Sequence, residues 1–256
     1  MNIAAVQFDI VWEDPPSNFR KVRTLLDSAC IEPETLVVLP EMFPTGFSMR
    51  VSDPSATYEF LADTARRFRI CLAAGVASPD PSGKGRNEAV VMGPDGNRLA
   101  TYRKIHPFSY ARETDHFVPG ESIITFPWRG FTVAPFICYD LRFPEIFRVA
   151  VRRGANVFLV LANWPKVRDP HWRALLAARA IENQAYVVGV NRCGSDPKHD
   201  HAGSSRIIDP KGEILADAES REVVIQGELD LDALLKYRKE FPALADIRAE
   251  FLGDAS

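Results

Sequence analysis

FTVAPFICYDLRFPEIFR, residues 131–148, decides the fold of the chain. Seven mostly apolar residues, rich in β-branched and aromatic side chains, predict a buried strand over 131–137. The strand delivers Cys138 and then, at once, Tyr139, Asp140 and Arg142. Pro144 opens a helical pattern over 144–153, in a first-turn position where a missing N–H costs nothing. A buried strand running through a turn into a helix is the unit of an α/β fold. Cys138 is then either a small core residue at a strand end or a nucleophile held up at the mouth of a site. Free cysteine is among the most buried residue types, so Cys138 alone favours the structural role.

The same alternation extends outward in both directions. Strand-length apolar runs recur at 3–8, 35–40, 70–77, 87–93, 156–162, 186–191 and 203–209, and helices are expected over 17–30, 57–68 and 170–185. The turns GPDGN (93–97) and DPKGE (209–213) join neighbouring strands as hairpins, so the sheets are expected to be mixed. No repeat or low-complexity linker divides the chain, and 1–256 reads as one α/β domain of sheets covered by helices, with an extended C-terminal tail from about residue 240. The long irregular segment 106–128, bracketed by prolines, is expected to be a functional loop.

Composition narrows the function. The 256 residues are 46% hydrophobic, enough for a sizeable core, and 31 basic against 34 acidic side chains leave a charge of −3. No field of that size selects a polyanion, so nucleic acid is not an expected partner. The start MNIAAVQFDIVWED lacks a basic leader, and no apolar run approaches the roughly 20 residues of a membrane span. Cys30, Cys71, Cys138 and Cys193 are far apart, with no CxxC pair, as expected in a reducing compartment. A cytoplasmic protein without membrane association is the expectation.

Three reactive side chains share one placement. Glu41 ends TLVVLPE, Lys104 ends RLATYRK and Cys138 ends FTVAPFIC, each at or just past the carboxyl end of a strand, where open α/β sheets bind ligands. Their chemistry is complementary. A carboxylate can take a thiol's proton, and an ammonium together with the N–H of Tyr139 can hold the oxyanion formed when a thiolate attacks an amide. Each also has a plainer role: Glu41 as a helix cap or solvated loop residue, Lys104 as surface. His199 and His201, in the HDH stretch near Cys193 and His171, raise a metal site, but the spacing fits no zinc pattern and solvated loop histidines are expected instead. No GxGxxG follows a strand, which argues against a dinucleotide enzyme.

PEMFPTGF (40–47), YRKIHPF (102–108) and CYDLRFPEIFR (138–148), in that order, resemble the three catalytic motifs of the nitrilase, or carbon-nitrogen hydrolase, superfamily. The likeness extends through NEAVVMGPDGN, RALLAARAIENQAYVVGVNR and SSRIIDPKGEILA, and PEMFPTGFSM with HPFSYARETDHF is most similar to bacterial omega-amidases. The resemblance implies a four-layer αββα sandwich that pairs as a homodimer, with no cofactor and no metal. It implies Glu41 as base, Lys104 as oxyanion partner and Cys138 as nucleophile, supported by Glu113 and by Tyr139. The implied activity is release of ammonia from a small omega-amide of the 2-oxoglutaramate or 2-oxosuccinamate type. Hydrolysis of carbamoyl amino acids or aliphatic amides, or a non-catalytic binding relative, are the alternatives. Phe43, Phe108, Asn163 and Trp164, with Tyr110, are expected as pocket walls, and Arg112 or Lys166 as the seat of a substrate carboxylate. Asp140 and Arg142 are expected to brace the turn after Cys138 from within, and Arg179 and Glu182 to be structural. Pro135, inside the strand, marks a departure from glycine-rich relatives and requires an open strand edge.

Overall fold

The computed structural model describes residues 1–248 and 250. Strands β1 (Asn2–Gln7), β2 (Leu36–Val38), β3 (Cys71–Pro79), β4 (Gly85–Met92), β5 (Arg98–Arg103) and, far along the chain, β14 (Val223–Glu228) form one sheet in the order β14-β1-β2-β3-β4-β5. A second sheet contains β6 (Phe126–Trp128), β7 (Phe131–Ile137), β8 (Val157–Ala162), β9 (Tyr186–Asn191), β12 (Arg206–Ile208) and β13 (Ile214–Asp217), ordered β13-β12-β9-β8-β7-β6. A small hairpin of β10 (Cys193–Ser195) and β11 (Asp200–Ala202) stands between β9 and β12 in the chain. The helices are α1 (Pro15–Ser28), α2 (Ser55–Phe68), α3 (Glu113–His116), α4 (Pro144–Arg152), α5 (Asp169–Asn183) and α6 (Leu231–Glu240).

Side-chain alternation along the strands builds the layers. Ile3, Ala5, Leu36, Val38, Ala73 and Val91 face the second sheet in one core, while Ala4, Val6, Val37, Leu72, Ala74 and Val90 pack beneath α1 and α2 in another. Helices α4 and α5 bury Phe147, Ala150, Leu176 and Ala180 on the far side of the second sheet. The order is helix, sheet, sheet, helix, as the sequence motifs implied. Strands β1, β2 and β3 are parallel neighbours, as are β7, β8 and β9, and the two expected turns join antiparallel pairs β4–β5 and β12–β13.

Some local expectations are corrected. The strand expected over 203–209 contracts to Arg206–Ile208, because the backbone before it is spent on other partners: Ser204 N donates to Glu219 O and Ser205 N to Gln7 Oε1. The segment 106–128 is not featureless, since it holds α3, a 3₁₀ turn over Ser109–Ala111 and β6. Pro135 is accommodated because β6 pairs with β7 only at Phe131, Thr132 and Val133, so beyond that point one side of β7 is an open edge. The C-terminal tail starts where α6 ends, and residues 249 and 251–256 lie outside the described residues. Among the described residues no helix is long and apolar enough to cross a membrane.

Phe43, expected as a pocket wall, is instead fully buried core. Its ring lies 5.9 Å from that of Phe19 and 6.0 Å from that of Phe60, filling the space under α1 and α2. Phe43→Ala should therefore lower stability by about 3–5 kcal/mol, the usual cost of emptying a buried phenylalanine site. Urea denaturation followed by fluorescence measures it, and a loss under 1 kcal/mol would be incompatible with the packing described.

Candidate active site

Each reactive residue is fixed by backbone as well as by its strand. After β2 the chain turns, and the turn is clamped to β3: Gly75 N donates to Pro40 O and Phe43 N donates to Gly75 O, both at 3.1 Å. A Cβ on Gly75 would stand 2.4 Å from the Cα of Glu41, so only glycine permits this approach. Lys104, just past β5, is held in the same way. Its N–H donates to Asn87 O at 2.9 Å, Gly120 N donates to its carbonyl at 2.7 Å, and a Cβ on Gly120 would stand 2.2 Å from Arg103 O.

Cys138 occupies left-handed backbone at φ 47°, a strained conformation for a residue with a Cβ and one that recurs at exposed nucleophiles. Asp140, two residues on, holds it there. The buried carboxylate accepts from Ile137 N (3.0 Å), the Tyr102 hydroxyl (2.7 Å) and His106 N (3.0 Å), and His106 Nδ1 lies 2.9 Å away. Burial and the Asp140 charge push the Tyr102 hydroxyl well above its ordinary pKa, so it remains a donor. The bracing role expected for Asp140 is realised. Tyr139 follows Cys138 in a 3₁₀ turn, Cys138–Arg142, and N–H groups in a first helical turn have no partner within the helix.

The side chains converge. Lys104 Nζ donates to Glu41 Oε1 and to Glu113 Oε2, each at 2.9 Å, with all three groups buried. Asn87, a residue the sequence motifs did not single out, donates Nδ2 to Glu41 Oε1 (2.8 Å) and to Glu113 Oε1 (2.9 Å). Glu113 also accepts from Phe108 N at 2.5 Å, and so ties the long loop to the lysine. From the other sheet, Asn163 N donates to Glu41 Oε2 (2.9 Å) and Asn163 Nδ2 to Glu41 O (2.5 Å), and the same N–H also bears on the Cys138 sulfur.

The charges are strongly coupled. Burial works against the Lys104 ammonium, but the Glu113 and Glu41 carboxylates outweigh it and hold its pKa above the ordinary lysine value. Burial, followed by the nearby Glu41 charge, pushes the Cys138 thiol well above its usual value, against the pull of Lys104. The sulfur is therefore a thiol at rest, and a base beside it has a proton to take.

Lys104 and Cys138 form part of the wall of a cavity whose lining also includes Phe108, Tyr139, Asn163 and Trp164. Trp12, Phe47 and Met49 extend its apolar side, and Arg142, Arg168, Asp196, Lys198, His199 and His201 lie around the rest. Five expectations change here. Arg142 does not brace the turn from within; it stacks its guanidinium 4.9 Å from the Trp164 ring and lines the cavity. Arg112 is exposed and paired with Asp115, Lys166 lies outside the cavity lining, and Tyr110 is 85% exposed. The cations at the cavity are instead Arg142, Arg168 and Lys198, and none of these three is ion-paired with a carboxylate among the described residues. His201 is buried, not a solvated loop residue, because it bonds both to Trp164 O and to Asp196. Arg179 is structural as expected, donating to Leu141 O and to Glu182. No group of three or more His, Cys, Asp or Glu side chains among the described residues is arranged to hold a metal ion.

A solved structure from Xanthomonas campestris, a CN-hydrolase superfamily protein with an arsenic adduct in its active site, matches with a TM-score of 0.92 at 31% identity over 97% of each chain. Two stacked mixed sheets with this arrangement are the architecture of the nitrilase superfamily. In sequence, the chain is 39% identical over 252 residues to an omega-amidase, YafV, of Yersinia enterocolitica, spanning 96% of each. It is 34% identical over 254 residues to a 2-oxoglutaramate amidase of Bacillus subtilis, spanning 97% of this chain and 98% of that one. The family model for carbon-nitrogen hydrolases matches residues 2–239. The chain belongs to the carbon-nitrogen hydrolase family, enzymes that hydrolyse carbon–nitrogen bonds other than peptide bonds.

Gly75→Ala tests the clamp on Glu41. The added methyl must push the Glu41 backbone aside, so hydrolytic activity should fall by more than about 10-fold, as misplacement of a reacting group on the ångström scale does. Circular dichroism should retain the native spectrum, and unchanged kcat would show that the clamp does not place Glu41.

Proposed function

We propose that the protein is a cysteine-dependent amidohydrolase that releases ammonia from a small omega-amide of the 2-oxoglutaramate or 2-oxosuccinamate type through a thioester. One observation carries this: a thiol beside a buried Glu41–Lys104–Glu113 cluster shares its cavity with Arg142, Arg168 and Lys198, none of which is ion-paired with a carboxylate among the described residues. An amide end at the thiol and a carboxylate among the cations is the shape of such a substrate. The names of the Yersinia and Bacillus relatives support the same assignment.

The chemistry follows from the placements. Glu41 takes the thiol proton, and the Cys138 thiolate attacks the amide carbon. The resulting oxyanion is met by a Lys104 N–H and the Tyr139 N–H. As the tetrahedral intermediate collapses, the carbon–nitrogen bond breaks and the proton on Glu41 passes to the nitrogen, so ammonia leaves and a thioester remains. Water then gives a proton to Glu41, its oxygen attacks the thioester, and a second collapse expels the sulfur, which recovers its proton. Glu113 holds Lys104 and does not exchange protons. Phe108, Asn163 and Trp164 shape the cavity around the substrate. The proposal includes a homodimer in the cytoplasm, supported by the exposed apolar side chains Ile181, Ile214 and Leu215 and by four free thiols.

Ammonia release should be measured on omega-keto-amides, simple aliphatic amides, nitriles and carbamoyl amino acids. The omega-keto-amides should be hydrolysed best, Cys138→Ala should be inactive, and a preference for nitriles or carbamoyl compounds would overturn the substrate assignment. Glu41→Gln should slow alkylation of Cys138 by iodoacetamide by about 10²-fold or more, the scale of a general base's contribution. Mass spectrometry of the labelled peptide measures the rate, and equal labelling of both proteins would remove Glu41 as the base.

A further inference from the structure

The β10–β11 hairpin supplies none of the reacting groups, yet its turn brings Lys198 and His199 to the cavity. A single side chain ties that turn to the opposite wall. His201, buried on β11, places Nδ1 3.1 Å from the carbonyl oxygen of Trp164 and Nε2 2.9 Å from Asp196 Oδ2. A carbonyl oxygen only accepts, and so does an ionised carboxylate. Asp196 is ionised: burial opposes its charge, but the bonds from His201 and from the N–H groups of Lys198 and His199 outweigh burial and hold it far below the usual carboxylate range. The ring therefore lies between two acceptors, one at each of its nitrogens. Asp196 Oδ1 in turn accepts from Lys198 N at 2.7 Å and His199 N at 2.8 Å. The chain of bonds therefore runs from the Trp164 wall, through the His201 ring and a carboxylate, to the backbone that carries Lys198.

We infer that His201 is a positioning residue for the anionic end of the substrate: by bridging Trp164 and Asp196, it fixes the turn that presents Lys198 to the cavity. This rests on the omega-amide assignment above. The other charged groups around the ring are Lys198, His199 and Asp200 of its own hairpin, Lys166 and Arg168 of the turn before α5, Arg173 of α5, and Glu219. The two acceptors at hydrogen-bond distance hold the ring, and through it the turn, whereas Glu41, Lys104 and Cys138 lie on other elements and keep their geometry without it.

Full-length native enzyme and His201→Gln should be compared on 2-oxoglutaramate and on propionamide, with thermal melts to confirm folding. KM for the anionic amide should rise about 10-fold in the variant, the effect of losing hydrogen bonds to a charged group. KM for propionamide and kcat for both substrates should change far less. A parallel fall in kcat on both substrates with KM unchanged, or equal KM shifts for the two amides, would overturn the inference. Imidazole ¹⁵N shifts of His201 in the native enzyme need no variant; shifts of a ring that makes no hydrogen bond at either nitrogen would also overturn it. Should the native enzyme not prefer the anionic amide at all, the proposed function is what fails, and the ¹⁵N measurement still reports on the ring by itself.

Discussion

The structure depends on a buried ammonium held between two carboxylates. Lys104, Glu41 and Glu113 are each about 1% exposed or less, at N–O distances of 2.9 Å. Taking three charges out of water costs several kcal/mol per ion, and mutual attraction offsets that cost only when the geometry is tight and the remaining lone pairs are bonded. Here they are bonded: Asn87 donates to both carboxylates, Asn163 N to Glu41 and Phe108 N to Glu113. The cluster is thus weak as a source of stability and strong as a constraint. Removing Lys104 leaves two buried carboxylates uncompensated, so the turns that carry the three groups must be positioned closely, and the two glycine approaches supply that closeness.

The cluster also explains why the sheets are stacked as they are. Glu41, Lys104 and Glu113 come from the first sheet and the loop after it, Cys138 and Asn163 from the ends of parallel strands in the second. Asn163 spans the seam with two bonds to Glu41. Neither sheet contains a complete site. Core packing between the layers, through residues such as Val38, Ala73, Phe136 and Leu159, therefore fixes the relation of Glu41 to Cys138 as directly as any bond within the site.

The elements were legible because their periodicity was clean: β7 matches the apolar run 131–137 in full, and α4 starts at Pro144. Three strand-end residues pointed to the cluster, because a charged or nucleophilic side chain at the end of an apolar run breaks the pattern. The cavity was less legible, since its lining comes from segments with no shared pattern. Phe43 and Phe108 follow Glu41 and Lys104 by a few residues, yet one is core beneath α1 and the other lines the cavity. That outcome is set by helix packing that local sequence does not encode. Asn87 was hidden within a strand; a lone asparagine entering the run NEAVVM was its only signal. His201 was misjudged because loop histidines are usually solvated, and its two acceptors lie in Trp164 and Asp196, which only the fold brings to it.

The resting state of the thiol fits the charge of the cluster. With Lys104 positive, Glu41 and Glu113 negative and Cys138 protonated, the buried groups sum to −1. In the proposed reaction, moving the thiol proton to Glu41 leaves that sum unchanged. Attack passes the negative charge from sulfur to the oxyanion beside Lys104, and departure of neutral ammonia with the Glu41 proton returns the charge to Glu41. A low-dielectric site penalises any step that changes its net charge. A thiol held well above its ordinary pKa is therefore no obstacle, because the thiolate forms only as Glu41 is neutralised. The same cluster that suppresses the free thiolate makes the coupled transfer nearly isoelectric, and the carboxylate of Glu113, outside the proton path, holds the lysine charge constant throughout.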